Sequence, residues 1–281
     1  MAQNEFVKYY EVLMQELGKH TGSSLERLAL LCKNNDIKNI VRDEAGLSED
    51  ELLKAFKFLI LASFKADEVS LSALVPESIS GLISYLLHVI FEEKKVKVFD
   101  PFLQSGYFIN SVAFEKTECF GLEMNENFRA IIKTLFSLSG KGISIFSEEK
   151  EVLADKNLFD CLITVFEDDF LNDEYYPYQV INKYLGKIKD EGWFLFLASD
   201  YFLKDESFMS FLENESIKLA FLFSLPTELF KNNRKHLIAI QKTKKTSGRL
   251  AILDIESFND KKHYQEILLE FQKIYHNMKG N

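Results

Sequence analysis

Residues Lys95–Asn110 read KVKVFDPFLQSGYFIN, and this stretch decides the fold. Val96–Phe99 is a short apolar strand, which Asp100-Pro101 ends because proline cannot donate to a sheet ladder. A loop that closes with Ser105-Gly106 follows, and Tyr107–Ile109 begins the next apolar face. A strand, a tight loop and a helix N-terminus in this order mark the place where α/β proteins receive nucleotide-like ligands.

A second strand candidate lies about twenty residues further along the chain. Cys119–Glu123 is an apolar run that ends on a carboxylate. An acidic residue at this point can accept hydrogen bonds from both hydroxyls of a ribose. The pair of segments favours a nucleotide-like ligand, and an ordinary strand–helix connection is the alternative interpretation.

DPFLQSGYFI resembles the D-P-x-x-G-[ST]-G-x-[FL] motif of adenine-N6 DNA methyltransferases, which use S-adenosylmethionine (SAM). The resemblance is closest to type I modification subunits and their small stand-alone relatives. Val75-Pro76 stands where that branch commonly has Thr-Pro at the start of a helix. Downstream, Phe223–Pro226, Phe230-Lys231 and His236–Lys242 resemble its Leu-Pro, Phe and Gln-Lys ending. The similarity extends from about Val75 to Lys245.

The alternation of strands and helices from Lys95 onward predicts an α/β fold with a mostly parallel sheet covered on both faces. The resemblance implies a Rossmann-like SAM-methyltransferase fold with seven strands and a final hairpin. The strand candidates are Val96–Phe99, Glu118–Glu123, Ile143–Phe146, Phe159–Phe166, Trp193–Ala198, Lys218–Leu225 and Leu237–Thr243, with Arg249–Ile255 as an additional candidate. The helix candidates are Phe108–Phe114, Asn127–Leu138, Tyr178–Lys189, Asp205–Asn214 and Phe258–Met278.

The first part of the chain reads as helices alone. Ser23–Glu26 and Ser48–Glu51 both have the Ser-x-x-Glu form of a capping box, and each precedes a leucine-rich segment. Another helix begins near Pro76 with apolar residues at helical spacing. The sequence therefore predicts a helical N-terminal domain over residues 1–74 and a methyltransferase-like domain over residues 75–281, with the boundary near Leu71–Pro76.

The resemblance also implies the residues of a cofactor site for SAM: Asp100, Phe102, Ser105, Gly106, Glu123 and Glu149. Glu123 would contact the ribose, and Glu149 would contact the adenine end. The motif departs from the family at Gln104, which stands in place of a glycine. A non-glycine residue with positive φ costs roughly 1–2 kcal/mol. A SAM pocket and a loop packed shut by its own side chains are both open interpretations.

The catalytic motif of the family is not intact. N6-adenine methylation uses a [DNS]-P-P-[YF] run after the fourth strand, whose oxygens accept hydrogens from the target amine of a flipped base. Val165 stands where the acid or amide belongs, and neither proline is present. Asp168 and Asp169 follow and could replace the motif if the loop folds back. No catalytic residue is assigned.

Two functional hypotheses follow from these observations. One is a SAM-dependent methyltransferase that acts on nucleic acid or another polar substrate. The other is a pseudoenzyme, a non-catalytic binding or assembly module on a methyltransferase fold. The missing acceptor favours the second hypothesis for chemistry, whereas Asp100, Gly106 and Glu123 keep SAM binding open.

The composition limits which binding partners and which cellular compartment we expect. The 281 residues carry a formal net charge of −9, which opposes stand-alone DNA binding because phosphate contacts supply most of the non-specific affinity. The resemblance implies a nucleic-acid partner all the same, and a protein partner is the other expectation. Basic residues that could form a local patch are Lys231, Arg234, Lys235, Lys242, Lys244, Lys245 and Arg249. No apolar window reaches the ~20 residues of a membrane helix, so no membrane partner is expected and the cytoplasm is the predicted compartment.

Neither cysteines nor histidines show a metal-ligand spacing. The three cysteines are an odd number, and the five histidines are scattered along the chain. We therefore expect no metal site.

Overall fold

The structure is a computed structural model that describes residues 5–34, 36–41, 47–71, 74–92, 94–171, 174–213, 216–230, 234–243 and 250–279. The chain forms two compact units. The first unit comprises residues 1–77 and 101–152, and the second comprises residues 78–100 and 153–281. The boundary at residues 74/75 that the sequence indicates stays a prediction.

Strands and helices alternate after a helical start, as the sequence predicts. The α-helices are α1 (Glu5–Leu17), α2 (Ser24–Asn34), α3 (Ile37–Val41), α4 (Glu49–Ala66), α5 (Glu77–Phe91), α6 (Tyr107–Val112), α7 (Glu126–Leu138), α8 (Glu149–Ala154), α9 (Tyr176–Tyr184), α10 (Tyr201–Lys204), α11 (Phe208–Leu212) and α12 (Lys261–Lys279). Leu185–Lys187 and Thr227–Leu229 are 3-10 turns.

The described residues form one large sheet and one short hairpin. The strands are β1 (Val96–Asp100), β2 (Thr117–Leu122), β3 (Ile143–Phe146), β4 (Phe159–Val165), β5 (Phe170–Leu171), β6 (Glu174–Tyr175), β7 (Ile188–Ser199), β8 (Ile217–Ser224), β9 (Lys235–Lys242) and β10 (Ala251–Asp254). The large sheet has eight strands in the order β10-β8-β9-β7-β4-β1-β2-β3, and β5 pairs with β6. The fold is a Rossmann-like α/β fold with a mostly parallel sheet.

The sheet has one strand more than the seven that the resemblance implies. β10 pairs in parallel with β8, with Ala251 opposite Phe221 and Asp254 opposite Ser224. This is the additional candidate strand, shortened to four residues. The final hairpin is confirmed, because β9 runs antiparallel to both β7 and β8.

The core of the first unit lies between helices. It includes Leu13 of α1, Leu28 of α2 and Phe56 of α4, together with Ile131 and Leu135 of α7, all fully buried. The apolar face that α7 presents at helical spacing is therefore covered by the N-terminal helices of the same unit.

One of the two predicted capping boxes is confirmed and the other is wrong. At the start of α2, Ser23 N–H donates to the Glu26 carboxylate at 2.9 Å and Glu26 N–H donates back to Ser23 Oγ at 3.3 Å. Ser48 makes no side-chain cap at α4. Its N–H donates to Tyr9 Oη at 3.2 Å, and Glu51 instead pairs with Lys54 at 2.7 Å. A tertiary contact thus replaces the local motif.

The second unit has an aromatic core around β1, β4 and β7. The rings of Phe99 and Phe159 stack with centroids 4.7 Å apart, and Tyr184 meets Phe99 edge-on at 5.2 Å.

β7 begins at Ile188, five residues before the predicted strand, because Ile188 pairs with Phe159 of β4. The predicted helix Tyr178–Lys189 consequently ends at Tyr184.

The predicted helix Asp205–Asn214 also differs from the structure. The helix in the structure is only Phe208–Leu212, and the separate short helix α10 precedes it. Asn214 lies outside the described residues.

Among the helices of the described ranges, none combines the length and the hydrophobicity of a membrane-spanning segment.

Candidate functional site

The loops that follow β1, β2 and β3 are tied together in the first unit. Leu103 N–H donates to the carbonyl of Leu122 at 3.3 Å, and Glu123 N–H donates to the carbonyl of Phe146 at 3.0 Å. Gly106 N–H closes the first loop on the carbonyl of Leu103 at 2.7 Å. The loop between β1 and α6 (residues 101–106), here called the motif loop, therefore meets the end of β2 and the end of β3, as expected where strands of a parallel sheet end.

The motif loop keeps the backbone conformation of a glycine loop although one glycine is missing. Gln104 has φ 48° and Gly106 has φ 70°. A Cβ at Gly106 would lie 3.1 Å from the side chain of Ile132, and this tight contact and the positive φ together favour glycine at this position. The strain expected at Gln104 is thus present, and the side-chain Oε1 of Gln104 is buried without a hydrogen-bond partner.

Leu103 fills the space beneath the loop. A Cβ at Gly121 would lie 2.4 Å from Leu103 Cγ, and Leu103 is fully buried. The Leu103 side chain is therefore accommodated because Gly121 on β2 has no side chain. The loop retains its shape because a large residue at 103 is matched by the absence of a side chain at 121.

Glu123 is a half-buried carboxylate at the end of β2. Asn125 N–H donates to Oε1 at 2.7 Å, and the N–H of Gln104 also donates to the carboxylate. Burial raises the pKa of Glu123, although these two N–H groups and Arg129 act in the opposite direction. A carboxylate has about four acceptor positions, so acceptor capacity remains for two further donors.

The other predicted cofactor residues occupy different positions. Ser105 is fully buried and receives Tyr107 N–H at 3.4 Å, whereas Phe102 is half-buried. Glu149 is the first residue of α8, and it is Glu151 that accepts the N–H of Ser147 at 2.7 Å. Asp100 ends β1 in the second unit, where it is buried. The structure thus brings Gly106 and Glu123 into one local network, while the roles assigned to all six residues stay predictions.

The end of β4 lies in the second unit and corresponds, by resemblance, to the catalytic motif of adenine-N6 DNA methyltransferases. Val165 is the last residue of the strand and pairs with Leu197 of β7. The next peptide continues this pairing, since Phe166 N–H donates to the Leu197 carbonyl at 2.8 Å. An apolar side chain and a ladder contact therefore stand where an amine acceptor would be needed.

Asp168 is held close to β7 by side-chain hydrogen bonds. Ser199 Oγ lies 2.7 Å from both carboxylate oxygens, and Tyr175 Oη donates to Oδ1 at 2.8 Å. Burial raises the pKa of Tyr175, and the hydrogen bond to Asp168 raises it further. Asp169 instead uses its carboxylate to accept the N–H of Phe170 at 2.8 Å. Of these two carboxylates, only that of Asp168 is therefore hydrogen-bonded to Ser199 at the end of β7.

An aromatic cluster surrounds Asp168. The ring centroids of Phe170, Tyr175 and Tyr201 lie 5.2–5.7 Å from one another. Phe170 is 49% exposed and Tyr201 is 40% exposed, so two of the three rings present surface to solvent. A flat, polar ligand could stack on this surface beside a carboxylate.

A buried histidine beside this region has a carboxylate partner. His236 of β9 is 6% exposed, and its Nε2 lies 2.6 Å from Asp200 Oδ1. Lys204 and His236 together lower the pKa of Asp200. This pairing joins residues 36 positions apart, which spacing in the sequence cannot reveal.

The basic residues considered as a nucleic-acid patch are engaged within the chain where the structure describes them. Arg234 pairs with Asp254 at 2.9 Å, and Lys242 donates to the carbonyl of Ile188 at 2.7 Å. Burial lowers the pKa of Lys235. The described residues do not include Lys231, Lys244, Lys245 and Arg249.

No group of three or more potential metal ligands occurs in the described part of the chain.

Sequence reasoning missed two residues that lie beside these candidate residues. Met124 follows Glu123 and is 72% exposed, which makes it an apolar surface next to the carboxylate. Ser199 orients Asp168 across two strand ends. Met124 could have been found as an apolar residue after a strand-terminal acid, whereas Ser199 required the order of the strands.

Comparison with solved structures identifies similar folds in three bacterial proteins. A Listeria monocytogenes protein assigned to the class I SAM-dependent methyltransferases is 15% identical with a TM-score of 0.80, and the match covers 96% of this chain and 99% of that protein. The methyltransferase subunit of a type I restriction-modification system of Streptococcus thermophilus is 14% identical with a TM-score of 0.62, over 85% of this chain and 61% of the subunit. A modification subunit from Vibrio vulnificus, assigned to a type I restriction enzyme, is 14% identical with a TM-score of 0.61 and the same shares of 85% and 61%.

This chain therefore spans less than two thirds of the length of the two subunits from restriction systems. No protein-family model matches the sequence. A search among curated proteins finds no match. At these identities the likeness concerns the fold alone: the chain has the Rossmann-like fold of class I SAM-dependent methyltransferases.

Proposed function

We propose that this protein binds SAM through the motif loop and Glu123, and that it does not methylate adenine N6 with the residues at the end of β4. The observation that supports SAM binding is that the motif loop retains its backbone conformation. Gln104 keeps a positive φ at an energetic cost, and its N–H is directed at the Glu123 carboxylate. Strain that persists in a loop with a defined role points to a binding function.

The residues of the first unit fit the parts of SAM. The remaining acceptor positions of Glu123 suit the two ribose hydroxyls. Gly106 leaves the entrance of α6 without a side chain, so that a ligand can approach the backbone closely. The exposed side chain of Met124 offers an apolar surface for a purine, and Glu149 would contact the adenine end. When bound, SAM would supply a methyl group attached to a sulfonium.

The second candidate function is a non-catalytic binding or assembly module. The observation that favours it is Val165, which offers nothing that could accept a hydrogen from a target amine. Asp168 is the group that could carry a methyl-transfer role instead, because it is fixed by Ser199 and lies beside exposed aromatic rings. A nucleic acid or a protein is the proposed partner class in either case.

Calorimetric titration of SAM into the wild type and Glu123→Ala tests the cofactor site. We expect measurable binding by the wild type and a loss of at least about tenfold in the variant, because each hydrogen bond to the charged carboxylate contributes ~1.5–3 kcal/mol. Affinity should also fall as the pH is lowered through the raised pKa of Glu123, since protonation removes the charge that accepts from the ribose.

Glu126→Ala is the matched control for this titration. Glu126 lies three residues away in the first turn of α7, and its exposed carboxylate pairs with Lys33 at 3.1 Å. This variant should bind SAM as the wild type does. Equal and measurable affinities for the wild type and Glu123→Ala would place the pocket elsewhere, and absent binding by the wild type would refute the proposal.

A further inference from the structure

A pocket in the first unit is separate from the residues assigned to the cofactor. It has a volume of about 320 Å³ and lies among α1, α4, the start of α5 and α6. Its walls include the aromatic rings of Phe6, Phe58 and Tyr107 and the side chain of Leu61. We call it the α4–α6 pocket. Its size and its mainly apolar lining are those of small-molecule sites.

Two cations line the α4–α6 pocket, and Lys57 is the half-buried one. Lys57 Nζ lies 5.2 Å from the centre of the Tyr107 ring and donates to Ser111 Oγ at 3.3 Å. Burial lowers the pKa of Lys57. No carboxylate among the described residues lies within 4 Å of this ammonium. The direct contacts of this half-buried cation are thus a hydroxyl and an aromatic ring, which compensate its charge less well than a carboxylate in contact would.

One anion lines the same pocket. Glu77 begins α5 and lies in the wall of the same pocket as Lys57 and Tyr107. Within the described part of the chain, Glu77 forms no ion pair. Lys54, the other cation of the pocket, is paired with Glu51 at 2.7 Å and is mostly exposed. The pocket therefore presents one charge of each sign beside an apolar wall, and neither charge is in a direct ion pair within the described residues.

We propose that the α4–α6 pocket binds a free α-amino acid with an apolar side chain, whose carboxylate meets Lys57 and whose ammonium meets Glu77. The apolar side chain then lies against Phe6, Phe58 and Leu61. A zwitterion satisfies both charges at once, whereas a simple anion would be repelled by Glu77 and a simple cation by Lys57. Tyr107 follows Gly106 directly, so this ligand would contact the helix that the motif loop begins.

Calorimetric titration with three probes of one shape tests the proposal. L-phenylalanine carries both charges, 3-phenylpropionate lacks the ammonium and phenethylamine lacks the carboxylate. L-leucine and L-methionine extend the panel to aliphatic side chains. We expect at least one of the three amino acids to bind, and L-phenylalanine to bind at least about tenfold more tightly than either of its analogues, because each analogue leaves one charge of the pocket unpaired.

Two charge-removing variants separate the roles of the charges. In Lys57→Met the preference of L-phenylalanine over phenethylamine should disappear, and in Glu77→Gln the preference over 3-phenylpropionate should disappear. Lys65→Met is the matched control from the same helix, because Lys65 is exposed and does not line the pocket, and it should retain both preferences. Before its affinity is interpreted, each variant is shown to be folded by an unfolding temperature equal to that of the wild type.

Three results would overturn the proposal. One is no binding of any of the amino acids by the folded wild type at millimolar concentration. Another is equal affinity for L-phenylalanine and both analogues. The last is competition between the amino acid and SAM, which would make the pocket part of the cofactor site. Failure of SAM binding in the Glu123 experiment leaves this test unaffected, because Glu123 does not line the pocket.

Discussion

Gln104 is the residue at which this chain departs most sharply from the loop that it otherwise retains. Its backbone has φ 48°, which glycine adopts without cost and other residues do not. The departure was predictable from the sequence, because the resemblance aligns Gln104 with a glycine. The compensation was not predictable, since it depends on Leu103 packing against Gly121 of a separate strand.

Replacing Gln104 with glycine should stabilise the protein. We expect a gain of about 0.5–1 kcal/mol, because relief of the left-handed conformation outweighs the added flexibility of the unfolded chain. Urea denaturation measures the change. Gln104→Ala is the control, since it keeps Cβ and therefore the strain. An equal gain in both variants would attribute the effect to the unpartnered side-chain amide rather than to φ.

At the scale of elements, the sequence pattern predicted the apolar strands and α7 and failed for short helices. β1, β2, β3 and α7 appear within about one residue of their predicted bounds. β1, β2 and α7 bury apolar residues, and β3 has three apolar residues that are half-buried. α3 and α8 are five or six residues long, which is too short for a helical period to be recognised. The start of β7 depends on its pairing with β4 rather than on its own composition.

The same reasoning explains which parts of the candidate sites were found. Glu123 and Gly106 are marked by their places at a strand end and a helix start, both of which are local features. The pairs Asp168–Ser199 and Asp200–His236 join residues from different strand ends. Such pairs depend on the order of strands in the sheet, which hydrophobic periodicity does not specify.

Asp67 illustrates a helix that depends on a distant cap. Its carboxylate accepts the N–H groups of Ser24 and Leu25 at 2.8 Å each, at the start of α2. We expect Asp67→Ala to destabilise the protein by about 1–2 kcal/mol, as for other lost N-caps. Chemical denaturation at neutral pH measures the loss. Asp190→Ala is the control, because Asp190 is largely exposed and its ion pair with Lys242 is long, at 3.4 Å.

The pH dependence of this cap has a definite sign. Burial raises the pKa of Asp67, but the N–H groups of Leu25 and Ser24, the side chain of Ser23 and the charge of Arg27 together lower it more, so that the net pKa lies below the ordinary value of 3.8. A depressed carboxyl pKa stabilises the folded state above the unfolded pKa, and this contribution is lost as the pH falls through the folded pKa. The difference between wild type and Asp67→Ala should therefore shrink in acid. A difference that grows in acid would contradict this assignment.

At the scale of the whole molecule, the N-terminal helices share one core with α7. Ile131 and Leu135 are fully buried in the cluster that includes Leu28 and Phe56. A fragment of residues 75–281 would expose these α7 side chains, each worth about 1.5–3 kcal/mol when buried. We expect this fragment to aggregate or to unfold about 10 °C or more below the full chain in a thermal scan. A fragment with the unfolding temperature of the full chain would support an independent domain from residue 75 and contradict this expectation.

The charge of the whole chain and the end of β4 lead to the last prediction, which is that the protein does not methylate adenine N6 at an appreciable rate. A net charge of −9 opposes the approach to DNA, and the described basic residues Arg234 and Lys242 are already engaged within the chain. Loss of one well-placed electrostatic stabiliser costs ~10²–10³ in rate, and Val165 replaces the acceptor itself. Incubation with tritiated SAM and DNA or RNA of varied sequence, at a SAM concentration that saturates the protein, measures the transfer. Asp168→Asn and Asp169→Asn are assayed in parallel, because Asp168 is fixed by Ser199 and Asp169 is not. Label on adenine with the wild type, lost in Asp168→Asn and retained in Asp169→Asn, would show that Asp168 has taken over the acceptor role and that the protein is an active methyltransferase.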